Sequence, residues 1–535
     1  MVKDKFLRGA LILTAAGLMV KVIGAFNRIL LSRLLGGEGI GLYQMAYPVY
    51  LLMVSVSSAG IPIAISIVVA EKIAKNDYGG AARIFRVSLV LMVVTGIFFA
   101  AVLYGMAGFL IDNNIIRDER AYQALIALTP AVFFATILAS FRGYFQGHQM
   151  MTPPAVSQIL EQFVRVISMV VLAYYLLPYG LEYAAAGAAF GAVPGAVTGL
   201  FVLSFFYAKY RKNWLRQNGM SYTAAQESIK EIAVRLVKLA LPVSCANIML
   251  PVVTGIDMLI IPGRLEAAGH TVEQATTLFG YFAGMGLPLV MLATIPTASL
   301  AASIVPAVSE AHALQNFEGI RQKSLTAIRL CLLLTFPAVV GLAVLSEPIS
   351  LLLYGTRAAA SSMAHLAPAI SLLGIHQITT GMLQGMGMTM MPMLNMIVST
   401  LLKIYLVWQW TAVPTYGIVG AAWATNINFG LAAALNLFFL LRYSTFFFFL
   451  KTAAKIFAAA ILMGICAYCS YVELIRYLAG NTVSTLLAIL IGGLAYFLAL
   501  IFSSELKQAE MAKIPFIGSK LIKFCKNLHL MRDEK

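Results

Sequence analysis

Residues 87–110 read VSLVLMVVTGIFFAAVLYGMAGFL, an apolar stretch without a single charged side chain. Arg83 and Arg86 precede it and Asp112 follows it. An α-helix needs about 20 apolar residues to cross the hydrocarbon core of a bilayer, whereas a barrel strand needs only about 9–11. Because backbone polar groups must be satisfied within the segment when it lies in lipid, this stretch predicts a membrane-spanning α-helix.

The whole chain has the same apolar character. Of its 535 residues, 60% are hydrophobic and only 11% are charged, and the mean hydropathy is +0.86. A soluble domain has about a quarter charged residues and could not bury this much apolar surface. The composition therefore excludes a soluble globular protein and predicts an all-α integral membrane protein.

Fourteen apolar segments can be identified along the chain. Their approximate limits are 10–32, 41–66, 87–110, 123–145, 154–177, 184–208, 239–262, 278–300, 325–347, 364–385, 392–410, 417–441, 452–472 and 482–503. We therefore predict about 14 transmembrane helices. An even number of helices places both termini on the same side of the membrane.

The distribution of basic residues predicts which side that is. The chain carries 38 Lys and Arg against 22 Asp and Glu, a net charge of +16. Twenty-seven of the basic residues lie on the side of the termini and six lie in the opposite loops. Cytoplasmic loops are enriched in Lys and Arg, so we predict a multi-pass plasma-membrane protein with both termini in the cytoplasm. This charge orients helices, and no nucleic-acid partner is expected.

The two halves of the chain resemble each other. Residues 71–80 (EKIAKNDYGG) recur as residues 310–319 (EAHALQNFEG), shifted by 239 positions. A second set of matches is shifted by 238: Gln146, Pro154 and Arg165 recur as Gln384, Pro392 and Lys403. Each copy begins on the cytoplasmic side and has six helices, so we predict two six-helix lobes related by a parallel internal repeat, plus two C-terminal helices.

This repeat divides the chain into four predicted parts. Residues 1–225 form the N-terminal lobe, residues 226–445 the C-terminal lobe, residues 446–505 helices 13 and 14, and residues 506–535 a basic cytoplasmic tail. Tandem lobes are the usual machinery of alternating-access transport, with the substrate path at their interface. No Walker A or G-x-S-x-G motif occurs, and Cys466 and Cys469 fit apolar packing in a helix better than metal or redox chemistry. We expect neither an enzyme nor a bound metal or cofactor.

Five basic residues remain inside the predicted spans: Lys21, Arg28, Arg142, Arg165 and Lys403. A charge in hydrocarbon must face a cavity or a partner, so these residues are the candidate site. Lys21 and Arg28 share one face of the first helix, which Asn27 adjoins and Arg33 closes at the outer end. The alternative is that Lys21 and Arg33 extend to the two membrane surfaces.

Acidic residues lie near some of these cations. Glu161 is four residues before Arg165 and can pair with it, either as a structural ion pair or beside a substrate. On the seventh helix, Asp257 lies on the same face as Arg264, and it either neutralises a cavity arginine or takes part in ion coupling. The predicted substrate-binding residues are Lys21, Asn27, Arg28, Arg33, Arg165, Arg264 and Lys403, with Glu161 and Asp257 in charge pairing or ion coupling.

The excess of interior cations predicts the class of substrate. A cavity for cationic drugs would contain acids and aromatic residues, whereas Arg and Lys in a partly dehydrated space suit phosphates. The favoured function is therefore transport of an anionic, phosphate-bearing substrate. A cation-coupled multidrug exporter, an exporter of another lipid-linked polysaccharide unit and, least favoured, a membrane glycosyltransferase remain as alternatives.

Several motifs resemble a known family. Asn27-Arg28 with Arg33, the segment SAGIPIA at residues 58–64, FRGYFQG at 141–147, residues 296–310 and MLQG at 382–385 resemble the stage V sporulation protein B group. This group belongs to the polysaccharide-exporter and lipid II flippase (MurJ-like) branch of the multidrug/oligosaccharidyl-lipid/polysaccharide superfamily. The resemblance covers essentially the whole chain.

The resemblance implies a flippase, without enzyme activity, that moves an undecaprenyl-pyrophosphate-linked peptidoglycan precursor to the outer leaflet. It implies that Arg28 and Arg33 line a cationic central cavity and that residues 452–503 form a groove for the lipid tail. The expected partners are the lipid-linked oligosaccharide pyrophosphate and the bilayer, and the protein is expected to be a monomer. Na⁺, H⁺ or the membrane potential would drive transport.

Overall fold

The structure is a computed structural model that describes residues 2–58, 60–218, 227–443, 450–478, 480–503 and 505. Nearly all of these residues are helical, and no β-strand occurs among them. This confirms the predicted all-α class. The predicted basic tail at residues 506–535 lies outside the described residues.

The chain divides into two compact units, residues 1–285 and residues 286–535. The predicted lobe boundary at residues 225 and 226 follows the repeat in sequence rather than compactness, and it stays a prediction. The helices of the first unit are α1 (Val2–Ser58), α2 (Ile61–Ala74), α3 (Tyr78–Asp112), α4 (Ala121–Gly147), α5 (Thr152–Leu176), α6 (Leu181–Phe190), α7 (Ala192–Asn218), α8 (Ile229–Ala267) and α9 (Val272–Phe279), with a 3₁₀ turn at Leu177–Tyr179. A π-helix, Gly280–Gly286, ends this unit.

The second unit is also entirely helical in its described residues. Its helices are α10 (Leu287–Ala293), α11 (Ile295–Ala313), α12 (Phe317–Val344), α13 (Ser346–Tyr354), α14 (Ala360–Leu366), α15 (Pro368–Gly385), α16 (Met390–Trp410), α17 (Gly417–Tyr443), α18 (Leu450–Leu478) and α19 (Asn481–Phe502). Gly or Pro residues lie at or near one end of each of the short helices α10, α13 and α14. These residues interrupt regular helix.

Within the part of the chain that the structure describes, twelve stretches are long and apolar enough to cross a membrane. The first of them runs from Ala15 to Ala74, about 90 Å of helix at 1.5 Å per residue, which is far longer than one bilayer. Gly36 breaks it with φ 66° and ψ −170°, so it contains the first two predicted spans. The predicted span at 239–262 lies within α8. The fourteen predicted segments therefore all lie on helices.

The backbone of α1, near its middle, lies very close to the backbone of the π-helix. A Cβ atom on Gly280 would lie 1.9 Å from the carbonyl oxygen of Gly37, so no larger residue fits there without a shift. The Gln44 Nε2 atom donates to the carbonyl oxygen of Ala283 at 2.7 Å nearby. Because a π-helix leaves some carbonyl oxygens free of regular α-helical bonds, a side-chain donor is a suitable partner here.

The internal repeat recurs in the backbone geometry of the two turns that sequence matching pairs. Before α3, Asn76 has φ 57° and the Asp77 side chain accepts from Gly80 N at 2.7 Å. Before α12, Gln315 has φ 53° and the Asn316 side chain accepts from Gly319 N at 2.8 Å. Left-handed backbone outside glycine is uncommon, so its recurrence 239 residues apart is a specific match.

Candidate functional site

Two of the predicted arginines converge on one aromatic ring in the first unit. The guanidinium carbon of Arg28, on α1, lies 5.8 Å from the centre of the Tyr47 ring, and that of Arg165, on α5, lies 5.7 Å from it. Arg165 Nη2 also lies 3.5 Å from the Tyr47 hydroxyl oxygen. Both distances fall within the roughly 6 Å range of cation–π contacts. The tyrosine therefore brings together two cations that are 137 positions apart in the chain.

Tyr47 belongs to a row of three tyrosines that sequence reasoning missed. The rings of Tyr43 and Tyr47 stack with centres 5.3 Å apart, and those of Tyr47 and Tyr50 lie 5.8 Å apart. The sequence spacing could have revealed this row, since residues 43, 47 and 50 are spaced i, i+4, i+7 and so share a helix face. An aromatic row of this kind holds the long arginine side chains in place through their faces.

Arg28 has a free hydrogen-bonding atom in this cluster. Its Nη1 is buried and has no hydrogen-bond partner among the described residues. Asn27, next to it, is 7% exposed; its Nδ2 donates to the Met169 sulfur at 3.2 Å, while its Oδ1 is buried without a partner. A buried donor without a partner loses its hydration energy, so the arrangement suits an anionic acceptor that completes it.

Glu161 forms its ion pair with Arg142 of α4, not with Arg165. The side chains of Arg142 and Glu161 are 22% and 23% exposed. The i, i+4 spacing allows Glu161 and Arg165 to pair, but the packing of α4 against α5 places Arg142 next to Glu161 instead. As a result, Arg165 turns to the tyrosines, and the acid neutralises a different cation from the one expected.

The other predicted residues of the first unit lie outside this cluster. The side chains of Lys21 and Arg33 are exposed, and both flank Arg28 on α1. Asp257 is 5% exposed and Arg264 is half-buried, and both have interaction partners. The structure thus brings together Arg28 and Arg165, with Asn27 beside them, and leaves Lys21, Arg33, Asp257 and Arg264 as separate candidates.

Lys403 lies in the second unit, where it is 4% exposed. On the same face of α16, Asn395 Nδ2 donates to Asn436 Oδ1 of α17 at 2.8 Å. Asn436 in turn donates to the hydroxyl oxygens of Thr379 and Thr380 at 3.2 and 3.1 Å. Lys403 therefore lies on a helix whose inward face is held by neutral amides and hydroxyls.

A further buried amide of α17 belongs to this region. Asn428 is 1% exposed, and neither of its side-chain amide atoms has a hydrogen-bond partner among the described residues. If the antiparallel helices α16 and α17 continue the register of the Asn395–Asn436 bond, residue 428 lies level with Lys403. Sequence reasoning missed Asn428, because asparagine in an apolar helix gives no charge signal.

An apolar cavity of about 410 Å³ lies among α10, α12, α13, α15, α18 and α19. Its walls include Leu292, Pro337, Met463, Ile489 and Gly492. Two of these helices, α18 and α19, form the segment that, by the family resemblance, is expected to hold a lipid tail. The lining is almost wholly hydrocarbon, which suits an alkyl or polyprenyl chain.

A charged cluster at the predicted outer end of the first unit was also not foreseen. Asp118, 2% exposed, accepts from Arg120 Nε at 2.9 Å and Nη2 at 2.8 Å, and from the Thr276 hydroxyl at 2.8 Å. Arg120 Nη1 donates to Glu38 at 2.6 Å. The bonds to Asp118 and Glu38 raise the pKa of Arg120. This cluster joins α1, the α3–α4 loop and α9, so its role is structural.

Within the described residues, no three His, Cys, Asp or Glu side chains are grouped so that they could hold a metal ion. Cys466 and Cys469 are both free cysteines.

Comparison with known proteins gives the family. The polysaccharide biosynthesis protein family matches residues 6–312, more than half of the chain. The chain belongs to this family. The MatE family matches residues 282–408. The chain is 30% identical to stage V sporulation protein B of Bacillus subtilis (strain 168), over 98% of this chain and 100% of that protein.

Two lipid II flippases are also similar to this member of the family. Lipid II flippase MurJ of Bacillus subtilis (strain 168) is 25% identical over 75% of this chain and 77% of that protein. The solved structure of a lipid II flippase MurJ in an inward closed conformation superposes with a TM-score of 0.68 over 92% of this chain and 99% of that chain, at 16% identity. These findings confirm the predicted family resemblance and the multi-pass membrane fold.

Proposed function

We propose that this protein is a flippase that moves an undecaprenyl-pyrophosphate-linked cell-wall precursor, similar to lipid II, from the cytoplasmic to the outer leaflet. Transport proceeds by alternating access, and the protein itself catalyses no covalent step. The observation that carries the proposal is the convergence of Arg28 and Arg165 on Tyr47, with a buried Arg28 donor left without a partner. The family membership and the likeness to MurJ support it.

The pyrophosphate is the part of such a substrate that this cluster would bind. Guanidinium groups form bidentate hydrogen bonds to phosphate oxygens, and a partly dehydrated site makes each bond stronger than in water. Arg28 and Arg165 would hold the phosphates, with Asn27 beside them. Lys21, Arg33, Arg264 and Lys403 are the further proposed contacts along the path.

The apolar cavity beside α18 and α19 is the proposed place for the polyprenyl chain. Its volume of about 410 Å³ and hydrocarbon lining suit part of an isoprenoid chain, while the remainder stays in the surrounding lipid. The charged head and the apolar tail of the substrate would thus use separate parts of the protein.

The proposal also covers the orientation of the protein in the membrane, its oligomeric state and the energy source for transport. Both termini lie in the cytoplasm, in accord with the charge bias, and the protein acts as a monomer. Na⁺, H⁺ or the membrane potential drives the cycle, with Asp257 as the proposed group for charge neutralisation or ion coupling. Glu161 serves as a structural partner of Arg142.

Replacing Arg28 tests the proposal. In a flippase-depleted strain, we expect Arg28→Ala to abolish rescue of growth and outer-leaflet exposure of lipid II, with normal protein in the membrane. Arg28→Lys keeps the charge but loses bidentate bonding, so partial rescue is expected. Arg476→Ala is the matched control, since Arg476 is exposed and its one ion pair among the described residues is with Glu473, three residues earlier on the same helix. Full rescue by Arg28→Ala would exclude this site.

A multidrug exporter is the second candidate, because the MatE family matches residues 282–408. Such a protein would raise the resistance of a drug-sensitive host to cationic compounds, and it would do so without restoring lipid II exposure. The proposed flippase shows the opposite result in both assays. A third reading, a membrane glycosyltransferase, predicts sugar transfer by the purified protein from a labelled lipid-linked donor, which the proposal does not.

A further inference from the structure

A groove on the first unit combines two arginines with an apolar floor. It encloses about 560 Å³ between α3 and the start of α8. Arg83 and Arg86 line one part of it, and Val90, Val94, Ile229 and Ala233 line the rest. The volume falls within the roughly 300–1,000 Å³ of pockets that hold small ligands. This α3/α8 groove is separate from the Arg28 cluster.

The groove faces the membrane rather than the interior of the protein. Val90 is 64% exposed and Val94 is 60% exposed, and Ile97 and Phe98 continue the same exposed face at 56% and 59%. A face of large apolar side chains on a membrane helix contacts lipid. From Arg86 to Val94, the floor extends about 12 Å along α3 at 1.5 Å per residue, well into one leaflet.

The two arginines lie where a lipid headgroup would be. They directly precede the uncharged stretch at residues 87–110, so they lie at the predicted cytoplasmic surface of the membrane. Among the described residues, no carboxylate lies within salt-bridge distance of Arg86. Arg83 has an interaction partner of its own, while Glu227 pairs with Lys72 at 2.9 Å and Glu71 pairs with Arg235.

The second copy of the repeat lacks this arrangement. At the offset of 239, Arg83 corresponds to Gln322 and Arg86 to Leu325, both on α12. The basic residues of that segment are engaged with acids: Arg321 with Glu318 at 3.1 Å and Lys323 with Glu310 at 3.7 Å. The arginine pair is therefore a property of the first copy and does not follow from the repeated fold.

We propose that the α3/α8 groove binds one anionic phospholipid of the cytoplasmic leaflet. Its phosphate lies on Arg83 and Arg86, and one acyl chain lies along Val90, Val94 and Ala233. Charge complementarity selects an anionic over a zwitterionic lipid, because the second positive group of a zwitterion opposes the arginines. A lipid in this position contacts both α3 and α8 and stabilises their packing.

The test measures lipid binding by the purified full-length chain in detergent, by native mass spectrometry and thermal unfolding. Phosphatidylglycerol and phosphatidylcholine of identical acyl chains are compared. We expect the wild type to retain phosphatidylglycerol preferentially and to unfold at a higher temperature with it. Arg86→Gln should reduce the preference about fivefold, and Arg83→Gln combined with Arg86→Gln should remove most of it.

Two further variants separate charge from shape. Arg321→Gln removes the same charge from the second copy and should leave the preference unchanged. Val94→Trp fills the apolar floor without touching the arginines and should weaken binding of phosphatidylglycerol. If Arg321→Gln lost the preference for phosphatidylglycerol to the same extent, the effect would be one of general surface charge and the proposal would be overturned. Full retention of the preference in the double arginine variant would also overturn it.

Two competitors identify the source of the phosphate. Glycerol phosphate, which has the headgroup without acyl chains, should not displace phosphatidylglycerol from the protein. Arg86→Gln should leave the binding of undecaprenyl pyrophosphate unchanged, because the proposed transport site is elsewhere. If undecaprenyl pyrophosphate depends on Arg86 and phosphatidylglycerol does not, the groove belongs to the substrate path and the proposal is wrong.

Discussion

The two copies of the internal repeat share the geometry of one turn and one glycine contact, and they differ in their interior charges. In the first copy, Arg142 of α4 pairs with Glu161 of α5. At the same positions of the second copy, shifted by 238, stand Thr380 of α15 and Ser399 of α16. One copy therefore uses an ion pair between equivalent helices where the other uses hydroxyl groups.

The packing beneath these side chains is nevertheless the same. A Cβ atom on Gly143 would lie 2.6 Å from the carbonyl oxygen of Pro62, and one on Gly381 would lie 2.7 Å from that of Ala301. These four residues match at offsets of 238 and 239. The comparison teaches that the repeat fixes how closely helices approach, while the polar side chains are free to change the character of each copy.

This difference has a functional consequence. The first copy carries Arg165 beside Tyr47 because its acid is occupied by Arg142. The second copy buries its equivalent, Lys403, on a helix whose inward face also carries the Asn395–Asn436 amide bond. An ion pair at one place thus leaves the neighbouring guanidinium available to aromatic rings and, in our proposal, to a phosphate.

Breaking the ion pair should give the largest effect on stability. We expect Glu161→Ala to lower the free energy of unfolding by about 3 kcal/mol, because it leaves Arg142 partly buried without its acid. The matched change, Ser399→Ala, removes one hydroxyl bond to the Met396 carbonyl and should lower it by only about 1 kcal/mol. Unfolding of the purified protein in denaturant measures both.

A double replacement sharpens this prediction. Arg142→Thr with Glu161→Ser copies the pair of the second repeat into the first, and it should recover most of the stability lost in Glu161→Ala. If Glu161→Ala is no more destabilising than Ser399→Ala, the ion pair does not distinguish the two copies.

Substituting the shared glycines tests the similarity of the copies. Gly143→Ala and Gly381→Ala should each lower the free energy of unfolding by about 1–3 kcal/mol, because the added methyl group meets a backbone oxygen that cannot move freely. Gly105→Ala and Gly493→Ala are the controls, since nothing lies within 4 Å of a Cβ there. In these two, loss of glycine in a helix should be neutral or stabilising. Unequal losses at residues 143 and 381 would show that the two copies pack differently.

The smallest effect is expected at two surface acids, Glu227 just before α8 and Glu318 in the first turn of α12. The hydrogen bond from Lys72, followed by other nearby cations, lowers the pKa of Glu227. A carboxyl group with a lowered pKa stabilises the fold above its ordinary pKa of about 4.3 and loses this contribution as the pH falls through the folded value. Glu227→Gln should therefore cost less than about 1 kcal/mol at pH 7, and less at pH 3 than at pH 7.

Glu318, in the second compact unit, provides the comparison. It pairs with Arg321 three residues along the same helix, with its side chain 59% exposed. We expect Glu318→Gln to leave the melting temperature unchanged at both pH values, since solvent screens this pair. A pH-independent loss in Glu227→Gln would mean that the side chain acts by packing and not by charge.

The amino-acid sequence by itself determined the membrane class, the helical segments and the repeat. Hydrophobic periodicity and length are local properties, so the stretch at residues 87–110 could be read as a span without any tertiary information. The repeat found in sequence also recurs in the backbone, since Asn76 and Gln315, at matching positions, both have left-handed φ angles. Arg28 and Arg165 could be singled out because charges inside apolar segments are rare.

Tertiary structure alone decided which of these side chains meet. Spacing allowed Glu161 to pair with Arg165, but the position of α4 gave it Arg142 instead. Tyr47 was one tyrosine among 23 until α5 placed Arg165 against the ring that Arg28 also faces. The groove beside Arg86 likewise exists only because α8 begins next to α3. A helix pattern predicts which residues share a face, whereas the neighbour of that face depends on packing between distant segments.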